Sequence, residues 1–245
     1  MSNDIQYSFA RCEKKYLLER DVYTGLLGRL RPRLRPDEYG NYSLCNIYYD
    51  TDDWRLVRAS IEKPVYKEKL RVRSYGVPKP DGKAFVEIKK KFDGIVYKRR
   101  ITTGIDKVEP FLDLADPADY GQIGREIISF QRFYQTKPKV FIGYDRIAFS
   151  GISDPGLRIT FDTNLRWRVT DLDLRAGDYG EPLDDSDRVL MEIKLPGAYP
   201  LWLCRILSEM GVYPVSFSKY GTCYTEHILK GRIKKGGAFL CLIQF

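Results

Sequence analysis

At 245 residues the chain suits one large domain or two small ones, and with 43% hydrophobic and 13% aromatic residues it can build a packed core, which excludes global disorder. Its 41 Lys and Arg against 33 Asp and Glu leave a net charge of +8, which favours polyanionic partners. Five scattered cysteines (Cys12, Cys45, Cys204, Cys223, Cys241) without a CxxC pair exclude a disulfide framework and a zinc cluster, and fit a reducing compartment.

Residues 1–10 carry no apolar signal region, and no stretch approaches the length of a membrane span, so a soluble cytoplasmic protein is expected. The apolar end, Gly236 to Phe245, is too short to cross a bilayer and is expected to dock on the domain or on a partner. No repeat or linker marks a boundary, so residues 1–245 are expected to form a single domain with a core from about 7 to 230.

In chain order, Tyr7 to Tyr16 reads as a strand and Leu17 to Leu30 as a helix, ended by Pro32 and Pro36. Tyr42 to Tyr49 reads as a strand, and Asp50-Thr51-Asp52 supplies capping chemistry for a helix from about Asp53 to Ile61. Strands follow at Val65 to Tyr75, Lys83 to Lys91 and Ile95 to Thr102, the last two joined by the Asp93-Gly94 hairpin signal. Residues Lys107 to Tyr134 look helical, interrupted at Pro117 and Gly121. Strands return at Val140 to Phe149, Leu157 to Asp162, Leu165 to Thr170 and Val189 to Leu195. Helices at Leu201 to Met210 and Lys219 to Lys230 close an α+β pattern.

The informative feature is the charge on one side of each strand, because residues two apart share a face. Lys67, Lys69, Arg71 and Arg73 share one. Phe85, Glu87, Lys89 and Lys91 share another, with Ala84, Val86 and Ile88 behind them. Lys98 with Arg100, Tyr144 with Arg146, Arg158 with Thr160 and Asp162, Arg188 with Glu192 and Lys194, and Arg11 with Glu13 and Lys15 repeat the pattern. A half-exposed sheet would show the same alternation, but its wet face would mix signs. The excess of Arg and Lys points instead to a closed antiparallel β-barrel with a basic lumen and helices packed outside. Such a lumen repels itself when empty and should be stabilised by phosphate ligands. Glu13, Glu87 and Glu192, single carboxylates amid cations, are suited to placing one hard cation beside bound phosphate.

The motifs Arg11-Cys12-Glu13-Lys14-Lys15-Tyr16, Ile47-Tyr48-Tyr49-Asp50-Thr51 and Lys69-Leu70-Arg71-Val72-Arg73-Ser74-Tyr75-Gly76 come first in a longer series. Phe85 to Lys91, Tyr144 to Phe149, Leu157 to Asp162, Met191 to Lys194 and Ser216 to Tyr220 follow in order. Together they resemble the VTC domain, the polyphosphate polymerase branch of the triphosphate tunnel metalloenzymes, over roughly Phe9 to Tyr220. The resemblance implies transfer of the γ-phosphoryl group of ATP to a growing polyphosphate chain. It implies phosphate contacts from Arg71, Arg73, Lys89, Arg146 and Arg158, and from Lys15, Lys69, Lys98, Lys194 and Lys219. It also implies Mn²⁺ or Mg²⁺ at Glu192, with Glu87 and Glu13 as further candidates.

Two other functions share this chemistry: a metal-dependent tripolyphosphatase or nucleoside triphosphatase, and a non-catalytic polyphosphate-binding module. The lumen carboxylates speak against the pure binder. These 245 residues show neither the inositol-phosphate-sensing SPX domain nor the membrane helices of fungal members, so neither regulation nor translocation is expected within them, which leaves room for a separate membrane partner. The opening strand carries Glu13-Lys14-Lys15 where other tunnel enzymes have Glu-x-Glu-x-Lys, against a two-carboxylate site there.

The remaining conspicuous residues have ordinary explanations. His227 suits a partly buried or surface role, Trp54, Trp167 and Trp202 suit packing, and the acidic run Asp184, Asp185 and Asp187 suits a solvated loop. Alternation splits Lys90 from Lys89 and Lys91, so nucleic-acid binding is not expected. No GxxxxGK[ST] loop is present.

Overall fold

The computed structural model describes residues 11–93, 95–113 and 120–231. Its strands are β1 (Arg11–Leu18), β2 (Leu34–Asp50), β3 (Tyr66–Tyr75), β4 (Lys83–Phe92), β5 (Ile95–Gly104), β6 (Lys137–Gly151), β7 (Arg158–Arg168), β8 (Glu181–Pro182) and β9 (Val189–Pro196). The helices are α1 (Arg20–Leu30), α2 (Arg55–Ile61), α3 (Val108–Leu112), α4 (Gly121–Tyr134), α5 (Leu201–Glu209) and α6 (Lys219–Thr222), which continues in wider π-type turns over Cys223–Leu229. The expectations at Tyr7 to Ala10, Gly94, Pro117 and Gly236 to Phe245 lie outside the described residues. The two strands expected between Leu157 and Thr170 are the single strand β7.

The nine strands form one antiparallel sheet in the order β1-β9-β7-β6-β2-β3-β4-β5, with β8 beside β7. The apolar side of each strand meets helices. Ala84, Val86 and Ile88 are buried with Phe111, Leu112, Ile127 and Ile128 of α3 and α4. Ile159, Phe161, Met191 and Ile193 are buried with Leu26, Leu30, Leu203 and Leu207 of α1 and α5. A third cluster sits on the opposite side, where Tyr220, Cys223, Tyr224 and Ile228 of the terminal helix pack on Tyr48, Ile142 and Tyr144.

Asp50 pins that helix in place. Its buried carboxylate accepts the backbone N–H groups of Leu56 and Val57 at 2.8 and 3.0 Å, capping α2, and the Tyr220 hydroxyl at 2.7 Å. The expected capping run therefore also holds the terminal helix inside the curve of the sheet.

The expected closed barrel is not formed. β1 and β5 are the two ends of the strand order, and no ladder joins them among the described residues. The sheet nevertheless curls: Lys15 of β1 donates to the Phe217 carbonyl at 3.0 Å, and Lys69 of β3 donates to Ser218 Oγ at 3.2 Å. Two lysines from distant strands thus meet at adjacent residues. Among the described residues the outer edge of β1 carries one bridge, Lys15 to Val215, rather than β5. Alternation dictates which side a residue faces, but not whether the outer strands meet.

Candidate phosphate-binding site

The register turns the charged faces into rows across the concave side. Lys67 pairs with Lys91, Lys69 with Lys89, and Lys89 with Lys98. Like charges directly opposite one another destabilise a sheet unless something neutralises them. Lys15, Lys67, Lys69, Lys89 and Lys91 line a cavity of about 760 Å³, joined by Glu13.

Three of these ammonium groups, those of Lys67, Lys69 and Lys89, are pushed toward neutrality. Burial, reinforced by Lys89, Lys15, Lys67 and Arg71, lowers Lys69 to about 7. Desolvation lowers Lys98 to about 8 in spite of Glu87 at 2.9 Å and a side chain 44% exposed, and it lowers Lys89 and Lys67 as well. A bound anion would supply counter-charge to Lys69 and Lys89.

Next to this row lies a buried anchor. Glu87 is 2% exposed and receives Arg71 Nε at 2.7 Å, with Lys98 at 2.9 Å and Arg73 at 3.8 Å. Burial alone would raise its pKa, but Arg71, Arg73 and Lys98 hold it well below the usual carboxylate range. Arg71 also donates to the Tyr48 hydroxyl at 3.2 Å, and Arg73 to Asn46 Oδ1 at 2.8 Å and the Tyr144 hydroxyl at 3.2 Å. These contacts fix both guanidinium groups before any ligand arrives.

A second anchor stands on β7. Asp162 is fully buried and takes a two-pronged bond from Arg146 at 2.6 and 2.7 Å and a third from Lys219 at 2.6 Å. Glu192 on β9 lies among Lys194 at 3.3 Å, Lys15 at 3.6 Å, Lys219 at 3.7 Å and Arg146 at 3.9 Å. Burial raises its pKa, but these four cations hold it far down. Lys194 and Lys15 also reach Glu13, at 3.7 and 4.0 Å, so Glu13 and Glu192 share two lysines.

Tyr144 joins the two anchors. It accepts from Arg73, while Lys219 lies 4.3 Å and Arg146 5.2 Å from its ring centre. Burial raises the phenol's pKa, but Arg73, Arg146 and Lys219 bring it down to about 8.

The expected residues therefore fall into three groups. Lys15, Lys69, Lys89 and Glu13 surround the cavity; Arg71, Arg73 and Lys98 converge on Glu87; Arg146, Lys194 and Lys219 converge on Glu192 and Asp162. Arg158 stands apart, exposed and paired with Asp37 at 2.9 Å. Asp162, Tyr144, Tyr48 and Asn46 were not expected as functional residues, although the first two lie on strand faces whose charge alternation is visible in the sequence.

The three candidate metal carboxylates differ in what they leave open. Glu87 is closed off, both oxygens engaged by Arg71 and Lys98. Glu13 lines the chamber and Glu192 lies buried beside it, both with ion pairs of 3.3 Å or longer. No group of three His, Cys, Asp or Glu suited to a metal occurs among the described residues. This donor set fits a hard cation that takes most of its ligands from phosphate and water, and it does not fit a cage made by protein alone.

The sequence matches the VTC domain over residues 10–227. The chain belongs to the VTC domain family. The VTC domain here is also similar in structure to a candidate adenylate cyclase from Bacillus halodurans, at 16% identity and a TM-score of 0.51, covering 84% of this chain and 92% of that one. A candidate adenylyl cyclase from Hippeastrum, described as having a dominant triphosphatase activity, aligns at 16% identity and a TM-score of 0.48, covering 95% of this chain and 99% of that one. At this identity the Bacillus match establishes a shared fold and nothing further. No curated protein matches the chain. No helix among the described residues of this VTC domain is long and apolar enough to cross a membrane.

Proposed function

We propose that this VTC domain is an ATP-dependent polyphosphate polymerase, passing the γ-phosphoryl group of ATP to the end of a polyphosphate chain. The observation that carries the reading is the Lys69–Lys89–Lys98 row, three like charges of which, among the described residues, only Lys98 pairs with a carboxylate, Glu87 at 2.9 Å, beside arginines already locked by Glu87 and Asp162. Such a surface is unfavourable empty and favourable around several adjacent phosphates.

In this reading the terminal oxygen of the chain attacks the γ-phosphorus, the bond from that phosphorus to the bridging oxygen breaks, and ADP leaves. With the terminal phosphate fully ionised, charge balances without net proton transfer, so no histidine or serine is needed. Transfer then rests on in-line positioning and on neutralising spread negative charge. Arg71, Arg73, Arg146, Lys69, Lys89 and Lys98 supply the positive charge, and Lys15, Lys194 and Lys219 extend it toward β1 and β9. Arg158 meets phosphate only at the rim.

Glu192 and Glu13 are the residues that would hold Mn²⁺ or Mg²⁺, which when bound would draw charge from the phosphate oxygens. Glu87 serves instead as the counter-charge that orients Arg71 and Lys98.

The test follows the label of ATP marked at its γ-phosphorus, incubated with the purified chain and a divalent cation. Label in long chains supports the polymerase. Label in orthophosphate replaces it with a hydrolase, and tight binding without turnover replaces it with a binding module.

A further inference from the structure

One row of the concave face leads outward from beside the lysine cavity, where Lys194 lies 3.7 Å from Glu13. In that row Arg35 of β2 lies opposite Ser150, Ser150 opposite Arg158, and Arg158 opposite Lys194, so it crosses four strands on the same face. Arg35 and Arg158 are exposed at this rim.

The chain before Arg35 carries the positive charge over the rim. Arg29, Arg31, Arg33 and Arg35 alternate with Leu30, Pro32, Leu34 and Pro36. Leu30 and Leu34 are buried under α1 and α5, which anchors the segment. Arg33 lies 5.1 Å from the ring centre of Trp202 on α5. Arg29, Arg33, Arg205 and Trp202 then line an open exterior groove of about 440 Å³. Arg29 is neutralised by Glu209, and the Trp202 indole donates to Asp154 at 3.2 Å. Among the described residues Arg33, Arg35 and Arg205 form no ion pair, although all are exposed. Solubility alone does not call for arginine at every second position of a segment fixed by leucine and proline.

We propose that this ledge is a track for the polyphosphate chain, which passes from the Arg158 and Lys194 rim over Arg35 into the groove of Arg33 and Arg205. The inference rests on the condensed-phosphate reading above. Guanidinium forks suit the repeating non-bridging oxygens of such a chain, and an exposed track lets it slide while remaining attached. A short ligand fills the chamber without touching the ledge; a long one uses both.

The experiment compares tripolyphosphate with long-chain polyphosphate, titrated into the full chain and into Arg33→Ser/Arg205→Ser. The variant should bind tripolyphosphate as the wild type does and lose about tenfold in affinity for the long chain. Its slope of log affinity against log salt should fall by about 1.4, at roughly 0.7 per lost contact. Arg205→Ser alone touches no protein partner, and it should show about half the slope change. Unchanged long-chain affinity and slope in the double variant would overturn the track, and so would equal losses for both ligands. Tighter binding of a single-stranded oligonucleotide than of polyphosphate through these arginines would overturn it in favour of a nucleic-acid surface. If the wild type binds neither phosphate ligand, the chamber reading itself fails, and the track with it.

Discussion

Lys69 and Lys89 stand directly opposite each other on β3 and β4, and the next residue in that row is a third lysine, Lys98 of β5. A folded chain holds three ammonium groups in one row only if burial and a neighbouring carboxylate, here Glu87 at 2.9 Å from Lys98, lower the net charge or a ligand arrives to balance it. The VTC domain does the first when free, and in our account does the second when it works.

The row makes phosphate binding a proton-uptake reaction. Burial and neighbouring cations hold Lys69 near about 7, and desolvation holds Lys98 near about 8. A bound polyanion returns both toward ordinary lysine values. Between about pH 7 and 8.5, calorimetry in buffers of different ionisation enthalpy should therefore show protons taken up on tripolyphosphate binding, and affinity should fall as pH rises. The free protein should behave in the opposite sense. Its lowered lysines shed protons before the unfolded chain does, so unfolding free energy rises with pH in this window. The lowered Tyr144 phenol contributes in the same direction from about pH 8. In Lys69→Met both pH slopes should flatten. Proton release on binding, or a free-protein stability that falls from pH 7 to 8.5, would contradict the assignment.

Glu87→Gln should destabilise the free protein by about 3 kcal/mol, because it leaves Arg71, Arg73 and Lys98 facing one another without a counter-charge. Tripolyphosphate should recover much of that loss, as it supplies the missing negative charge. Denaturant unfolding with and without the ligand measures both. A loss that the ligand does not reduce would mean that Glu87 supports packing alone.

Glu192→Gln should separate binding from turnover. Without a divalent cation, tripolyphosphate affinity should hold or increase, since one negative charge leaves the chamber. Turnover of ATP should drop about a hundredfold or more, with the remaining activity insensitive to Mn²⁺. Wild-type turnover and metal dependence in this variant would remove Glu192 from the proposed cation site.

Much of this site is visible in the linear chain, and the missing parts share one cause. Alternation identifies Lys67, Lys69, Arg71 and Arg73, and Glu87, Lys89 and Lys91, as shared faces, and the register later sets those faces opposite one another. It does not reveal neighbours on strands far apart in sequence. Asp162 therefore reads as one more polar residue, although Arg146 and Lys219 both close on it. Glu87 reads as a metal candidate although three cations surround it. Curvature is likewise not encoded in a period of two, which is why the same pattern suggested a closed barrel where, among the described residues, β1 and β5 are the two ends of the strand order. The clasp around Arg168, whose guanidinium donates to the carbonyls of Asp171, Asp173, Gly177 and Tyr179, depends on an irregular loop with no periodicity to read.

The most direct test of the central claim is thermal unfolding of the wild-type chain and of Arg71→Ala at neutral pH, each with and without tripolyphosphate. A chamber built for condensed phosphate predicts that the wild type gains about 2.7 kcal/mol at a hundredfold excess over Kd, seen as a rise of several degrees in Tm. It also predicts that Arg71→Ala gains much less, and that monovalent chloride at equal ionic strength does not reproduce the effect. An unchanged wild-type Tm at millimolar tripolyphosphate, or an equal gain in Arg71→Ala, would contradict the account.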